Sequence, residues 1–159
     1  MRQLKETIYP ETIDTSKLSS CHLIVIDGDD GSGKTPLAHK IADALGAKVI
    51  SLDNYLHEDG RPYCDQIKYD SLKNDILSSS QKVVIEGVCA LKILAKINVD
   101  HDYHIFTKCV VCGNRDYDDY LDERRPWNRK LARDIILYYR EFKPFDSCNE
   151  TQTRLIDVE

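Results

Sequence analysis

The sequence lacks the features that would place the chain in a membrane or on nucleic acid. It has no apolar stretch near the roughly 20 residues that a membrane-spanning helix requires. Residues 1–17 contain no apolar core, so we expect no signal peptide. There is no basic run, and the net charge of −5 disfavours binding to nucleic acid or to a membrane surface. We therefore expect a cytoplasmic protein whose six cysteines are reduced.

The sequence also lacks internal repeats, low-complexity tracts and any stretch typical of a linker between domains. Its 159 residues are enough to bury one sizeable core. We predict an N-terminal extension over residues 1–20 and a single domain over residues 21–159, with an arginine-rich lid segment around residues 114–134.

Short apolar runs alternate with segments of helical periodicity along this domain. A helix capped by Asp70 is expected to carry Leu72, Ile76 and Leu77 on one side. Strands separated by helices predict a parallel sheet with right-handed crossovers, in a three-layer α/β domain. The predicted strands are residues 21–27, 48–52, 82–85, 103–106 and 153–158, and the other helices cover 37–45, 90–97 and 131–142.

A glycine-rich segment follows the first strand and precedes the first helix, and it fits the phosphate-binding pattern G-x-x-x-x-G-K-[ST]. The glycines let backbone N–H groups surround the phosphates of a nucleotide, and the helix N-terminus adds its dipole. Lys34 is expected to reach the β- and γ-phosphates, and Thr35 to ligate Mg²⁺. A chance glycine-rich turn is the alternative interpretation. The segment consists of Gly28, Asp29, Asp30, Gly31, Ser32, Gly33, Lys34 and Thr35.

Two acidic residues follow the second and third predicted strands. Asp53 comes after the strand KVISL, and Glu86 comes after KVVI. Because parallel strands end at one edge of the sheet, both carboxylates are expected beside the phosphate-binding loop. One can support the metal while the other accepts a proton from an attacking hydroxyl. The alternative is that one of them caps a helix or lies in solvent at a strand end.

Arginines cluster before and within the last predicted helix. Arg129, Arg133 and Arg140 share one face of it, while apolar residues occupy the opposite face. Arginines in a charged segment can close over a triphosphate and exclude water. A solvated polar face is the alternative. The apolar face consists of Leu131, Ile135, Tyr138 and Phe142.

Cys109 and Cys112 have the spacing of zinc ligands, although a second C-x-x-C is missing. Ordinary packing beside a strand is the alternative. The residues that could complete a metal site are His101, His104, Cys89 and Cys148.

The runs IDGDDGSGKTPLAHKIADAL, VISLDNY, VVIEGVCAL and RKLARD, in this order, resemble the uridine kinase and phosphoribulokinase group of P-loop kinases. The resemblance implies a five-stranded parallel sheet of order 2-3-1-4-5. It also implies that Asp53 is the general base and lies near Mg²⁺, and that Glu86 supports the metal. Tyr55 would shape the acceptor pocket with these two carboxylates, and Arg129 and Arg133 would contact phosphates.

The expected function is transfer of the γ-phosphoryl group of ATP, with Mg²⁺, to a hydroxyl of a small molecule, preferably nucleoside-like. A nucleotide hydrolase or a non-catalytic nucleotide-binding module is the alternative. The expected partners are ATP and the acceptor, without nucleic acid or membrane, and a homo-oligomer stays open. The segment between Asp53 and Asp70 lacks the D-H-P pattern of uridine kinases, so the sequence does not select the acceptor.

Overall fold

The computed structural model describes residues 14–28, 32–110 and 130–155, without the side chains of residues 109–110, 130–132 and 153–155. Strands and helices alternate along the chain, as the sequence predicts. The strands are β1 (Leu23–Gly28), β2 (Lys48–Ser51), β3 (Val83–Gly87), β4 (Tyr103–Val110) and β5 (Glu150–Leu155). The helices are α1 (Lys34–Leu45), α2 (Tyr69–Leu77), α3 (Ala90–Lys96), α4 (Lys130–Phe142) and the short α5 (Pro144–Ser147).

All neighbouring strands run parallel, and the sheet has the order β2-β3-β1-β4-β5. Both the parallel sheet and its strand order agree with the sequence-based expectation. The last strand begins at Glu150, earlier than expected, and pairs with β4 from Ile105 onwards. The phosphate-binding segment starts where the central strand β1 ends, so the strand order sets it between β3 and β4.

Strand β1 is buried along its whole length because it has a core on each face. Leu23 and Val25 belong to the cluster that includes residues of α2, α3 and α4. Ile24 and Ile26 point to the other face and pack with α1. Burial of each large aliphatic side chain contributes about 1.5–3 kcal/mol, which explains the nearly continuous apolar run of this strand.

Helix α2 differs from its prediction in two respects. Lys68 is the N-cap residue, and Asp70 lies in the first turn instead of capping the helix. Leu72 and Ile76, four residues apart, are buried, but Leu77 is 65% exposed. One residue advances a helix by about 100°, so Leu77 leaves the face that Ile76 shares with Leu72.

The N-terminal residues and the end of α4 complete the framework. Thr15–Leu18 forms a 3₁₀ turn within the predicted extension, and its Leu18 packs into the α1 side of the core. Helix α4 ends at Phe142, before Pro144, as predicted. Among the described residues, none of the helices combines the length and apolar character that a bilayer crossing demands.

Candidate active site

The end of β1 approaches β4 so closely that only glycine fits there. A Cβ on Gly28 would lie 2.2 Å from Oγ1 and 2.3 Å from the carbonyl oxygen of Thr107. The Thr107 hydroxyl donates to the Asp27 carbonyl oxygen at 3.1 Å, so the Ser32 hydroxyl is the donor in its 2.6 Å hydrogen bond to Thr107. Thr107 of β4 thereby contacts the phosphate-binding segment at two points, Gly28 and Ser32.

The N-terminus of α1 has the backbone that a phosphate site needs. Gly33 is the N-cap residue and adopts a left-handed conformation, with φ of 87°. The first turn of a helix has N–H groups without partners inside the helix, and these point outwards with the positive end of the helix dipole. Lys34 begins the helix and is only 8% exposed. Asp29, Asp30 and Gly31 lie outside the described residues, so their predicted roles stay predictions.

Two predicted metal-site residues, Thr35 and Glu86, are in direct contact. The Thr35 hydroxyl donates to Glu86 Oε1 at 3.1 Å, and the Ser51 hydroxyl donates to the same oxygen at 2.5 Å. Glu86 is the fourth residue of β3 and is 3% exposed. Ser51 reaches it because the two residues are register partners in β2 and β3. A buried carboxylate beside hydroxyl groups matches the oxygen ligands that Mg²⁺ prefers.

Asp53 follows the second strand, as predicted, but it lies in a 3₁₀ turn that the sequence does not suggest. Strand β2 ends at Ser51, and Asp53 sits in the 3₁₀ turn Leu52–Tyr55 with an exposed side chain. This turn packs tightly on the end of β3, since a Cβ on Gly87 would lie 2.7 Å from Leu52 Cβ. The glycine after Glu86 therefore lets the turn that carries Asp53 approach β3.

A buried tyrosine holds the Asp53 carboxylate. The Tyr63 hydroxyl donates to Asp53 Oδ1 at 2.6 Å. Burial, followed by the hydrogen bond and the negative charge of Asp53, raises the pKa of Tyr63 far above its ordinary value. The phenol therefore stays protonated and remains the donor in this hydrogen bond.

Tyr55 is expected in the acceptor pocket, and its hydroxyl is hydrogen-bonded to helix α2. It donates to Asp75 Oδ2 on α2 at 2.5 Å. Burial, with a smaller effect of Asp75, raises the pKa of Tyr55 to about 12. The Lys68 amide donates to the Tyr55 carbonyl oxygen at 2.7 Å, and Leu56 forms an antiparallel bridge with Ile67. The segment between Asp53 and α2 is thus a closed loop beside the turn that carries the carboxylate.

Helix α4 docks onto the site through its buried face. Ile135 and Tyr138 are buried, as the spacing predicts, and Tyr139 is buried as well. The Tyr138 hydroxyl donates to Asp27 Oδ2 at the end of β1. Arg133 is exposed in the first turns of this helix. Arg129 lies outside the described residues, as do the side chains of residues 130–132, so the lid assignment stays a prediction.

Asp27 is a buried carboxylate that the sequence does not mark as part of a site. Its Oδ1 accepts the Gly28 amide at 2.8 Å, and its Oδ2 accepts Tyr138 and lies 3.6 Å from His104 Nε2. A buried carboxylate is tolerated only when donors surround it. Burial, and next the negative charge of Asp27, raises the pKa of Tyr138 well above its ordinary value, so this phenol also remains a donor.

No protein-family model matches the chain, and neither does any curated protein. A solved structure described as a possible uridine kinase from Bacillus stearothermophilus has a TM-score of 0.57 with it, at 14% identity, over 86% of this chain and 94% of that one. Shikimate kinase from Acinetobacter baumannii, in complex with shikimate, has a TM-score of 0.50 at 12% identity, over 91% and 88%. The chain shares the three-layer α/β fold, with its five-stranded parallel sheet, of these two structures. The predicted fold is therefore confirmed.

Several residues that contact the predicted site residues could not be identified from the sequence. Ser51 and Thr107 are ordinary strand residues whose role depends on the neighbouring strand. Tyr63 stands in the loop after Asp53, where nothing in its spacing points to the carboxylate. Only Ser51 could have been found from the pattern of strands, because it ends β2 and pairs in register with Glu86 near the end of β3.

The structure describes only part of the alternative metal site around the C-x-x-C motif. Within residues 14–28, 32–110 and 130–155, no three His, Cys, Asp or Glu residues form a group that could hold a metal ion. His101 and His104 contact each other edge to face, with ring centroids 5.8 Å apart. Cys89 and Cys148 are free thiols. The Cys109 side chain and Cys112 lie outside the described residues, so their metal binding stays a prediction.

Proposed function

We propose that this protein is an ATP-dependent phosphotransferase that moves the γ-phosphoryl group to a hydroxyl of a small molecule, with a nucleoside-like acceptor favoured. The observation that carries the proposal is the direct contact of Thr35 with Glu86 at the sheet edge where the Asp53 turn packs. A nucleotide site alone requires only the loop and its lysine. Transfer to a hydroxyl requires a base as well, and the exposed Asp53 carboxylate, which accepts a hydrogen bond from Tyr63, can supply it.

The nucleotide would bind with its phosphates on the amides of Ser32 to Thr35 and on Lys34. The lysine is buried beside the helix N-terminus, so its charge acts in surroundings where electrostatic interactions are stronger than in water. Thr35 and Glu86 would hold Mg²⁺ together with phosphate oxygens and water, since Mg²⁺ commonly retains several waters. The ion, when bound, neutralises charge that develops on the phosphate oxygens.

Asp53 would act as the general base for the acceptor. Its carboxylate takes the proton of the acceptor hydroxyl, whose oxygen forms a bond to the γ-phosphorus while the bond from that phosphorus to the bridging oxygen of ADP breaks. The products are the phosphorylated acceptor, ADP and a proton held first by Asp53. Its exposed side chain is accessible to an acceptor.

The fold comparison fits this reaction class. The two solved structures are described as a possible uridine kinase and a shikimate kinase, and both uridine and shikimate carry hydroxyl groups. Arg129 and Arg133 are proposed to cover the phosphates from the lid segment, where they would exclude water as a competing acceptor. Glu86 and Tyr55 are proposed to line the acceptor side with Asp53.

A mass-shift screen tests the proposal. The protein is incubated with Mg-ATP and pooled nucleosides, nucleotides, sugars and vitamin precursors, and each pool is searched for the gain of one phosphoryl group. We expect one class of acceptor to gain it. In Asp53→Asn, the amide oxygen can still accept from Tyr63, so we expect nucleotide binding to persist and transfer to be lost. Transfer at the wild-type rate in Asp53→Asn would show that another group is the base.

A further inference from the structure

Tyr63 is placed to control the Asp53 carboxylate, although its position in the sequence shows no functional pattern. It begins the 3₁₀ turn Tyr63–Asp65 and is 8% exposed. Its hydroxyl is bound to Asp53 Oδ1 at 2.6 Å. A hydrogen bond to an ionised carboxylate is among the stronger ones that proteins form.

The backbone of Tyr63 is held from a second direction. Its amide donates to Asp134 Oδ2 on α4 at 2.8 Å, across 71 residues of sequence. Its carbonyl oxygen accepts the Gln66 amide at 3.1 Å, which closes the short turn. The ring belongs to the core cluster that also contains Ile135 of α4. The backbone of Tyr63 is therefore held in place, and the phenol extends from it to Asp53.

Asp53 needs such a contact because its own surroundings do not confine it. Its side chain is exposed, and an exposed aspartate exchanges among rotamers on a scale of picoseconds to nanoseconds. A bond at Oδ1 selects one orientation and leaves Oδ2 to receive the proton of the acceptor. Catalysis by a base depends on this geometry before it depends on basicity.

We propose that Tyr63 is a positioning residue for Asp53, and that Asp134 ties this pair to helix α4, which carries Arg133. The inference rests on the proposed function, because it assigns Tyr63 a task in the reaction of Asp53. It adds that the lid-bearing helix and the anchor of the base form one connected unit. Asp134 directly follows Arg133 in α4 and accepts the hydrogen bond of the Tyr63 amide.

The test compares two tyrosine-to-phenylalanine variants in the same turn region. Tyr63→Phe keeps the buried ring and removes only the hydroxyl. Tyr69→Phe is the matched control, since the Tyr69 hydroxyl donates to the Cys64 carbonyl oxygen of that turn and not to Asp53. We expect Tyr63→Phe to lower kcat about tenfold or more, with KM for ATP and acceptor nearly unchanged. Tyr69→Phe is expected to retain kcat.

Equal losses of kcat in the two variants, or full kcat in Tyr63→Phe, would overturn the inference. A second variant, Asp134→Ala, removes the backbone anchor while leaving the phenol in place. It is expected to lower kcat less than Tyr63→Phe does, again without a matching rise in KM. Wild-type kcat in Asp134→Ala would contradict the link between α4 and the base.

A measurement on the protein without substrates separates this inference from the proposed function. NMR three-bond couplings report the χ1 rotamer of Asp53. We expect one rotamer in the wild type and averaged couplings in Tyr63→Phe, with Tyr69→Phe like the wild type. Unchanged couplings in Tyr63→Phe would overturn the anchoring even if transfer is observed. If no acceptor is phosphorylated by the wild type, the proposed function fails, whatever the couplings show.

Discussion

Gly28→Ala is expected to damage the phosphate-binding segment far more than a glycine substitution usually does. The new methyl carbon would lie 2.2 Å from Thr107 Oγ1, 2.3 Å from the Thr107 carbonyl oxygen and 2.9 Å from Ser32 Oγ. Ordinary contact begins near 3.4 Å, so the loop or β4 must move by more than ~1 Å. Overpacking of this kind costs about 1–3 kcal/mol, and the φ of 155° at Gly28, which other residues rarely adopt, costs about 1–3 kcal/mol more.

Gly46→Ala is the matched control for this prediction. Gly46 has φ of 64°, and a Cβ there would meet nothing within 4 Å. Its substitution therefore carries only the backbone penalty, about 1–2 kcal/mol. Urea unfolding is expected to show that Gly28→Ala loses at least ~1 kcal/mol more than Gly46→Ala. Calorimetric titration is expected to show loss of ATP binding in Gly28→Ala alone.

The contact with the Thr107 carbonyl oxygen predicts that removing the Thr107 side chain does not relieve the clash. Adding Thr107→Ala to Gly28→Ala removes the hydroxyl but leaves the carbonyl oxygen in place, so the pair of changes is expected to rescue neither stability nor binding. If Gly28→Ala were no less stable than Gly46→Ala and bound ATP normally, the close approach of β1 and β4 would be refuted.

Two further predictions concern the lid and alkaline stability. Arg133→Ala, a change at an exposed residue, is expected to raise the ratio of ATP hydrolysis to transfer severalfold with little change in thermal stability, and an unchanged ratio would contradict the lid role. The pKa of Tyr55 is raised to about 12, so the unfolded state loses this proton first as pH rises and the free energy of unfolding falls between about pH 10 and pH 12. Urea unfolding at pH 8 and pH 11 measures the fall, which is expected to be smaller in Tyr55→Phe; equal falls in both proteins would oppose the assignment.

The sheet and the place of the glycine-rich segment between β1 and α1 could be predicted because their signals are local. An apolar run before a glycine-rich segment and a helix after it are read within about 25 residues, and the alternation of elements then fixes a parallel sheet. Gly28 and Thr35 stand where this pattern requires them. The position of Glu86 beside the loop was expected because parallel strands end at a common edge, whereas its hydrogen bond from Thr35 was not predicted.

The partners of the site residues could not be predicted because they join distant parts of the chain. Tyr138 is 111 residues from Asp27, and its helical spacing shows only that its ring is buried. The hydroxyl of a buried tyrosine needs a hydrogen-bond partner, but the sequence does not say which one. Asp53 illustrates a smaller error: β2 ends at Ser51, one residue earlier than predicted, and Asp53 lies in a 3₁₀ turn that was not predicted. Leu77 shows that an apolar residue next to a buried one can still face solvent.

The fate of the γ-phosphoryl group tests the central claim most directly. ATP labelled in that group is supplied with Mg²⁺ and the acceptor that the screen identifies, and the label is followed into the acceptor and into inorganic phosphate. The proposed reaction predicts that the label enters the acceptor in wild-type protein and not in Asp53→Asn. Label that appears only in inorganic phosphate, at a rate independent of acceptor, would contradict it and identify the protein as a hydrolase.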